Sequence, residues 1–237
     1  MDDVFLTTER MTLRPFTAGD AGPVLALHDD PSVMRFINGG RPTTREAVET
    51  RALPRLMHVH PCLGTPGYWA AESRETGAFL GWFEFRPLAE DTPAVVELGY
   101  RLHTAAWGRG LATEGARALI DTGFTAYGVR RVKADTMAVN TASRRVMEKA
   151  GLSLVRRYTE DWPHPLPGSE YGEVEYALTR EVWAERRAGD DGQGVSPCRP
   201  TARARAAYGR PSAPRGTAPD AARLTTGDDV GDLGAPA

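Results

Sequence analysis

The chain has 237 residues, 41% of them hydrophobic and 25% charged, with a formal net charge of −2. That length and apolar content are enough for a full buried core and exclude a wholly disordered chain. The small net charge supplies no field for nucleic acid or an anionic membrane, and no run of 18 apolar residues offers a membrane span.

In chain order, residues 6–16 alternate as a strand. Gly19-Asp20 opens a helix to about Asp30, which Pro31 is expected to stop. Thr43-Thr44 caps a helix through about Leu56, kinked or ended by Pro54. Residues 69–85 read as a hairpin turning at Glu75-Thr76-Gly77, and residues 95–102 as a further strand. Residues 111–127 carry Ala112, Ala116, Leu119, Ile120 and Phe124 at helical spacing. Residues 131–139 alternate as a strand. Residues 141–150 form a short helix that Gly151 terminates, and residues 152–158 and 173–178 finish as strands. The order implies a mixed α/β domain over residues 1–188. Residues 189–237 are rich in Gly, Pro, Ala and Arg with few large apolar residues, the composition of a disordered tail. Its six arginines match six aspartates, so it lacks the basic excess of a nucleic-acid arm. Cys62 and Cys198 fit no metal-ligand or redox-pair spacing, and with a leaderless start they point to a reducing cytoplasm.

The most informative stretch is Trp107-Gly108-Arg109-Gly110-Leu111-Ala112-Thr113-Glu114, between a strand and a helix. Its glycines let the backbone turn tightly and let a ligand approach the main chain. Successive amides, with the free N–H groups and dipole of the helix start, form a nest for an anion, and Arg109 adds a point charge. A diphosphate suits that nest, although the same glycines also serve a plain strand-to-helix turn. Leu111-Ala112 stands where a P-loop needs Lys-Ser/Thr, and the third glycine of the dinucleotide fingerprint is missing. A second strand-to-helix junction follows about 30 residues on, at Asn140-Thr141-Ala142-Ser143-Arg144-Arg145-Val146-Met147-Glu148-Lys149-Ala150-Gly151. Asn140 is placed to cap that helix, with Ser143 in its first turn.

With Val96-Glu97-Leu98-Gly99-Tyr100, Thr8-Glu9-Arg10-Met11-Thr12-Leu13-Arg14 and Leu178-Thr179-Arg180-Glu181-Val182-Trp183, these two motifs resemble the GNAT N-acetyltransferases, in particular the RimJ/RimL-like branch. The resemblance spans residues 6–183. It implies a mixed central sheet flanked by helices and splayed between the strands ending near Leu102 and Val139. Acetyl-CoA is then the acyl donor, with no metal. Its pantetheine arm would use free strand groups near Leu98, Tyr100 and Leu102, and its diphosphate the amides of Trp107, Gly108, Arg109, Gly110, Leu111 and Ala112. Asn140 would bond the pantetheine arm, and Ser143 would lie near the sulfur. Many members carry a tyrosine proton donor in the second helix where this chain has Met147. A thioether donates no proton, which leaves Ser143 or water as partner of the leaving thiolate.

For the base, Glu97 is favoured, with Glu84 second, either acting through one water. A main-chain N–H near Leu98 or Gly99 would polarise the thioester carbonyl. An α-amine of pKa about 7.7–8 needs far less help than a lysine of about 10.4, so a protein N-terminus is the expected acceptor. The alternatives are a small amine or aminoglycoside-type drug, and a silent acyl-CoA-binding module. His164, in a Pro-rich loop, and Glu170, Glu173 and Glu175 are lesser candidates for the acceptor side. Neither nucleic acid nor membrane is an expected partner, and the chain is expected as a monomer or homodimer.

Overall fold

The structure, a computed structural model, describes residues 4–159 and 165–190. The expected tail from 191 onward and the loop residue His164 lie outside the described residues. The elements are β1 (Leu6–Thr7), β2 (Met11–Arg14), α1 (Ala21–His28), α2 (Pro31–Asn38), α3 (Arg45–Ala47), α4 (Leu53–Leu56), β3 (Val59–His60), β4 (Thr65–Pro66), β5 (Tyr68–Ser73), β6 (Phe79–Pro87), β7 (Val95–Leu102), α5 (Leu111–Ala126), β8 (Arg131–Met137), α6 (Thr141–Lys149), β9 (Ser153–Tyr158), β10 (Glu173–Thr179) and α7 (Arg180–Asp190). Eight strands form one mixed sheet in the order β1-β2-β5-β6-β7-β8-β10-β9, and β3 and β4 pair separately. Within the large sheet β7 and β8 run parallel, joined by the α5 crossover that a parallel pair requires. No helix among the described residues is long and apolar enough to cross a membrane.

Strand alternation sorts side chains onto two faces. Phe83, Phe85, Val96, Leu98 and Tyr176 pack under α5 with Leu119, Ile120 and Phe124. Tyr68, Ala70 and Trp82 on the opposite face meet Val24 and Leu27 of α1 and Val48, Leu53 and Leu56 of the α3–α4 segment. Helix α5 lies unusually close to β6. A Cβ on Gly115 would stand 2.2 Å from the Phe83 ring, so glycine sets the approach of helix to sheet.

The chain departs from the expected elements at several places. Residues 6–16 are two strands, not one. The Thr8 hydroxyl bonds Met11, and Arg10 turns toward Glu114, so the segment folds back at residues 8–10 with Leu6 opposite Leu13. Pro31 starts a helix instead of stopping one. It occupies the first turn of α2, where its missing N–H costs nothing, and the Asp30 carboxylate accepts from the Ser32 amide at 2.9 Å. Near Pro54 the regular helix is interrupted, because a π-helical stretch at Val48–Ala52 precedes α4, which carries the proline in its first turn and ends at Leu56. At the other end, α7 runs to Asp190, two residues past the expected boundary at 188. Trp183 anchors it, donating from Nε1 to Asp121 at 2.7 Å and packing on Phe124.

Candidate active site

The parallel pairing of β7 and β8 covers Val95 with Arg131, Val96 with Val132, and Glu97 with Lys133, and there it ends. Beyond it, β7 stays paired to β6 as far as Leu102, and β8 stays paired to β10 as far as Met137. Each strand is therefore held by its outer neighbour while the inner edges part. The opening leads into a cleft of about 640 Å³, a volume suited to a cofactor-sized ligand.

The walls of that cleft come from the end of β7, the β7–α5 junction, the start of α6 and α2. Tyr100, Leu102, Trp107, Gly108, Gly110, Leu111 and Ala112 border it from the β7–α5 junction, and Asn140 and Ser143 from the start of α6. At the junction, Gly108 (φ 69°) and Gly110 (φ 78°) take the left-handed backbone that side-chain-bearing residues avoid. Gly110 is the residue ahead of α5 and brings no side chain to cap it, which leaves the amides of that first turn facing the cleft. Glu114 fixes the junction from behind. It accepts from the Arg10 backbone N–H at 2.8 Å and from the Arg10 guanidinium at 2.6 Å, while the same guanidinium donates to the Arg109 carbonyl at 2.7 Å.

Two site residues differ from the sequence expectation. The Leu102 carbonyl is not free for a ligand, because the Trp107 indole donates to it at 2.8 Å. Arg109 does not border the cleft. In the tight turn it emerges on the other flank, beside a pocket of about 140 Å³ with Arg10 and Arg74. The cationic side chains on the cleft are Arg101 of β7, Arg35 of α2, and Arg145 and Lys149 of α6. The last two stand one helical turn apart, a spacing visible in the sequence. Asn140 caps α6, its Oδ1 accepting from the Ser143 amide at 3.3 Å and its Nδ2 donating to Thr136 at 3.1 Å. One amide hydrogen and one lone pair are left for a ligand.

Ser143 has a partner that sequence reasoning assigned a different task. The Tyr100 hydroxyl lies 3.0 Å from both the Ser143 Oγ and the Ser143 carbonyl. Burial pushes the Tyr100 phenol well above its usual pKa, so it stays a proton donor. Met147, at the position of the family tyrosine, is buried in the core.

Glu97 is the last paired residue of β7 before the strands part, and its side chain lies on the sheet face opposite α5. Arg86 on β6 binds both Glu97, at 2.5 Å, and Glu84, at 2.5 Å, and the Tyr68 hydroxyl donates to Glu84 at 3.0 Å. Burial and then the neighbouring Glu84 charge raise the Glu97 pKa, outweighing the pull of Arg86 and Lys133. Two strands away, Glu175 is engaged by Arg131 and Arg156 and so is committed to ion pairs. Glu170 is exposed, and its carboxylate accepts from the Gly168 amide in its own turn. Glu173 is buried opposite Met137.

Toward α1, Arg101 borders the cleft and donates to His28 Nε2 at 2.9 Å, with its guanidinium 4.8 Å from the Trp82 ring. Burial holds His28 down to about 3, so it is neutral, and a guanidinium partner requires Nε2 to be the accepting nitrogen. Neither this pair nor α2 was singled out from sequence. Their place on the cleft depends on the chain reversal between α1 and β2, which no local pattern encodes.

A model of the acetyltransferase (GNAT) domain matches residues 10–153. The FsC-acetyl coenzyme A-N(2)-transacetylase of Aspergillus fumigatus is 34% identical over 185 residues, covering 75% of this chain and 77% of that one. The uncharacterized protein YkkB of Bacillus subtilis is 32% identical over 162 residues, covering 68% and 91%. Among solved structures, a GNAT-family acetyltransferase from Bacillus anthracis aligns with TM-score 0.63 and 26% identity over 75% of this chain and 99% of that one. The aminoglycoside acetyltransferase AAC(6')-Ib with coenzyme A and kanamycin shares the fold at 19% identity, TM-score 0.58, over 75% and 99%. With its mixed sheet opening between β7 and β8 and the glycine junction at the cleft mouth, the chain belongs to the GNAT family of acetyl-CoA-dependent acetyltransferases.

Proposed function

We propose that this enzyme is an N-acetyltransferase of the RimJ/RimL-like kind that transfers acetyl from acetyl-CoA to an α-amine, first of all a protein N-terminus. The observation that carries the reading is the parting of β7 from β8 after Glu97 and Lys133, which puts the cleft, the glycine junction and the Tyr100–Ser143 pair on one path. The diphosphate would sit on the amides of Trp107 to Ala112, with Arg35, Arg145 and Lys149 on the flanks. The pantetheine arm would run along the open edge of β7 past Asn140. A β7 main-chain N–H at Leu98 or Gly99 would stabilise the carbonyl oxygen as negative charge develops on it.

The acceptor would approach from the opposite face, where Glu97 stands at the apex of the split. Its raised pKa makes it a better base than an ordinary carboxylate, and one water bridges it to the amine. As the amine attacks, its proton passes toward Glu97. The C–S bond breaks, and the thiolate takes a proton from water or through the Ser143 hydroxyl, which the Tyr100 hydroxyl holds in place at 3.0 Å, while Glu97 returns its proton to solvent. A carboxylate tied to Arg86 remains a modest base. That favours an α-amine over a lysine, whose pKa is roughly 2.5 units higher.

A second reading has one specific observation behind it. The relative at 34% identity is named for N(2) transacetylation with FsC, so the acceptor here would be an amine on a small molecule. Both readings are tested by thiol release from acetyl-CoA over a matched panel: peptides with a free N-terminus, the same peptides blocked but carrying lysine, polyamines and aminoglycosides. Turnover greatest on free N-termini is expected. Turnover of lysine side chains above α-amines would refute the α-amine reading, and greater turnover of the small amines would establish the second.

A further inference from the structure

Outside the cleft, the fold gathers three metal-ligating side chains from two loops. His58 and His60 are two residues apart around β3, so they share a side of the strand, and their rings meet edge to face at 4.8 Å. Glu90 arrives from the connection between β6 and β7, thirty residues later in the chain. Its Oε1 lies 3.8 Å from His58 Nε2 and 3.6 Å from His60 Nδ1. All three ligating atoms fall within 4.8 Å of one another.

We propose that His58, His60 and Glu90 bind a divalent transition-metal ion of the zinc class, with water completing a tetrahedron. Ligands at about 2.0–2.1 Å from a tetrahedral centre stand roughly 3.3 Å apart, so the two carboxylate–imidazole separations need to close by up to about half an ångström and the two imidazoles, within 4.8 Å of each other, by up to about 1.5 Å. Two imidazoles and one carboxylate suit zinc, cobalt or nickel, whereas magnesium and calcium select all-oxygen sets. The burial pattern is the second observation. His60 is 6% exposed, and its Nδ1 has no hydrogen-bond partner among the described residues although it is turned toward Glu90. A buried polar nitrogen left unbonded in a native fold calls for an ion or a water.

The site also has a rigid wall. Gly67, between β4 and β5, has no Cβ, and one added there would stand 2.8 Å from His60 Nε2 and 2.5 Å from the Arg86 Cβ. The imidazole is thereby wedged beside Arg86, the residue that holds Glu84 and Glu97. A bound ion would tie the β3–β4 hairpin to the β6–β7 connection on the acceptor side of the sheet.

The test is metal binding by the full chain after chelator treatment, which is independent of acetyl transfer and of the acceptor. Zinc titration should show one tight equivalent, and cobalt should give visible absorption of tetrahedral intensity. His58→Ala and Glu90→Gln change exposed side chains and should each weaken zinc at least about tenfold. His60→Ala should do the same, with circular dichroism checking that its core is intact. At a fixed zinc concentration, the rise in melting temperature should be clearly smaller for Glu90→Gln than for the wild type. Zinc affinity unchanged in both His58→Ala and Glu90→Gln, or octahedral-weak cobalt absorption, would overturn the site.

Discussion

At the scale of single residues, the proposed chemistry turns on how Glu97 is charged. Burial and Glu84 raise its pKa together, while Arg86 holds it back. A base works only as the carboxylate, so the acid limb of kcat/KM should fall above the usual carboxylate range. Glu84→Gln removes the like charge and still lets Tyr68 donate to the side-chain oxygen. The Glu97 pKa should therefore fall, moving the acid limb to lower pH. Glu97→Gln should erase the limb and lower the rate by about 10²–10⁴-fold. The measurement is a pH–rate profile with an acceptor amine too weakly basic to titrate in the same range. A limb that stays in place in Glu84→Gln would remove Glu97 from the role of base. Glu97 could be named from the sequence as a candidate base because it lies on the strand ahead of the glycine junction. Its restraint by Arg86 could not, since the two lie on different strands and their meeting depends on the β6–β7 register. Tyr100 shows the same gap. Its residue type and position were plain, but a hydroxyl contact with Ser143 forty-three positions away is a property of the fold.

At the scale of elements, what the sequence resolved were segments whose apolar period was long and whose ends carried glycine or a cap. Helix α5, strand β7 and helix α6 fall within a residue or two of expectation. Pro31 was misread because a local breaker has two meanings. Pro31 ends one helix or begins the next, and an Asp30 cap decides for the second. Glycine is similarly double-edged in helices, and two positions separate the meanings by sign. Gly115 faces the buried Phe83 ring with no room for a methyl group. Gly115→Ala should cost about 1–3 kcal/mol of overpacking, offset in part by roughly 1 kcal/mol of helix propensity. In α1 an added Cβ on Gly22 meets nothing within 4 Å, so Gly22→Ala should gain about 0.4–1 kcal/mol. Denaturant melts with unchanged slopes should show the two midpoints moving in opposite directions. A stabilised Gly115→Ala would mean that α5 can lift away from β6.

At the scale of the whole molecule, the split sheet is a structural cost that a ligand relieves. Beyond Glu97 and Lys133, β7 and β8 expose backbone groups that a closed parallel ladder would satisfy. The two halves of the sheet are joined there by three residue pairs, by the α5 crossover and by the Arg117 guanidinium, which donates to the Lys149 carbonyl at 2.6 and 2.9 Å. A thioester whose arm runs in the gap and whose diphosphate rests on the glycine junction would contact both halves at once. It binds the folded chain alone, so at a hundredfold excess over its Kd it should add about 2.7 kcal/mol of stability. For a domain of this size each kcal/mol raises Tm by about 2–4 °C, which gives a shift of about 5–11 °C in a thermal melt with acetyl-CoA. Dephosphorylated pantetheine should produce much less of it, because the junction then has no anion to hold. Lys149→Ala together with Arg145→Ala should lower the acetyl-CoA shift while leaving the melting of the free protein close to wild type, since both side chains border the cleft. Equal shifts from acetyl-CoA and from pantetheine would place the binding energy in the strands alone and take the diphosphate away from the Gly108–Gly110 turn.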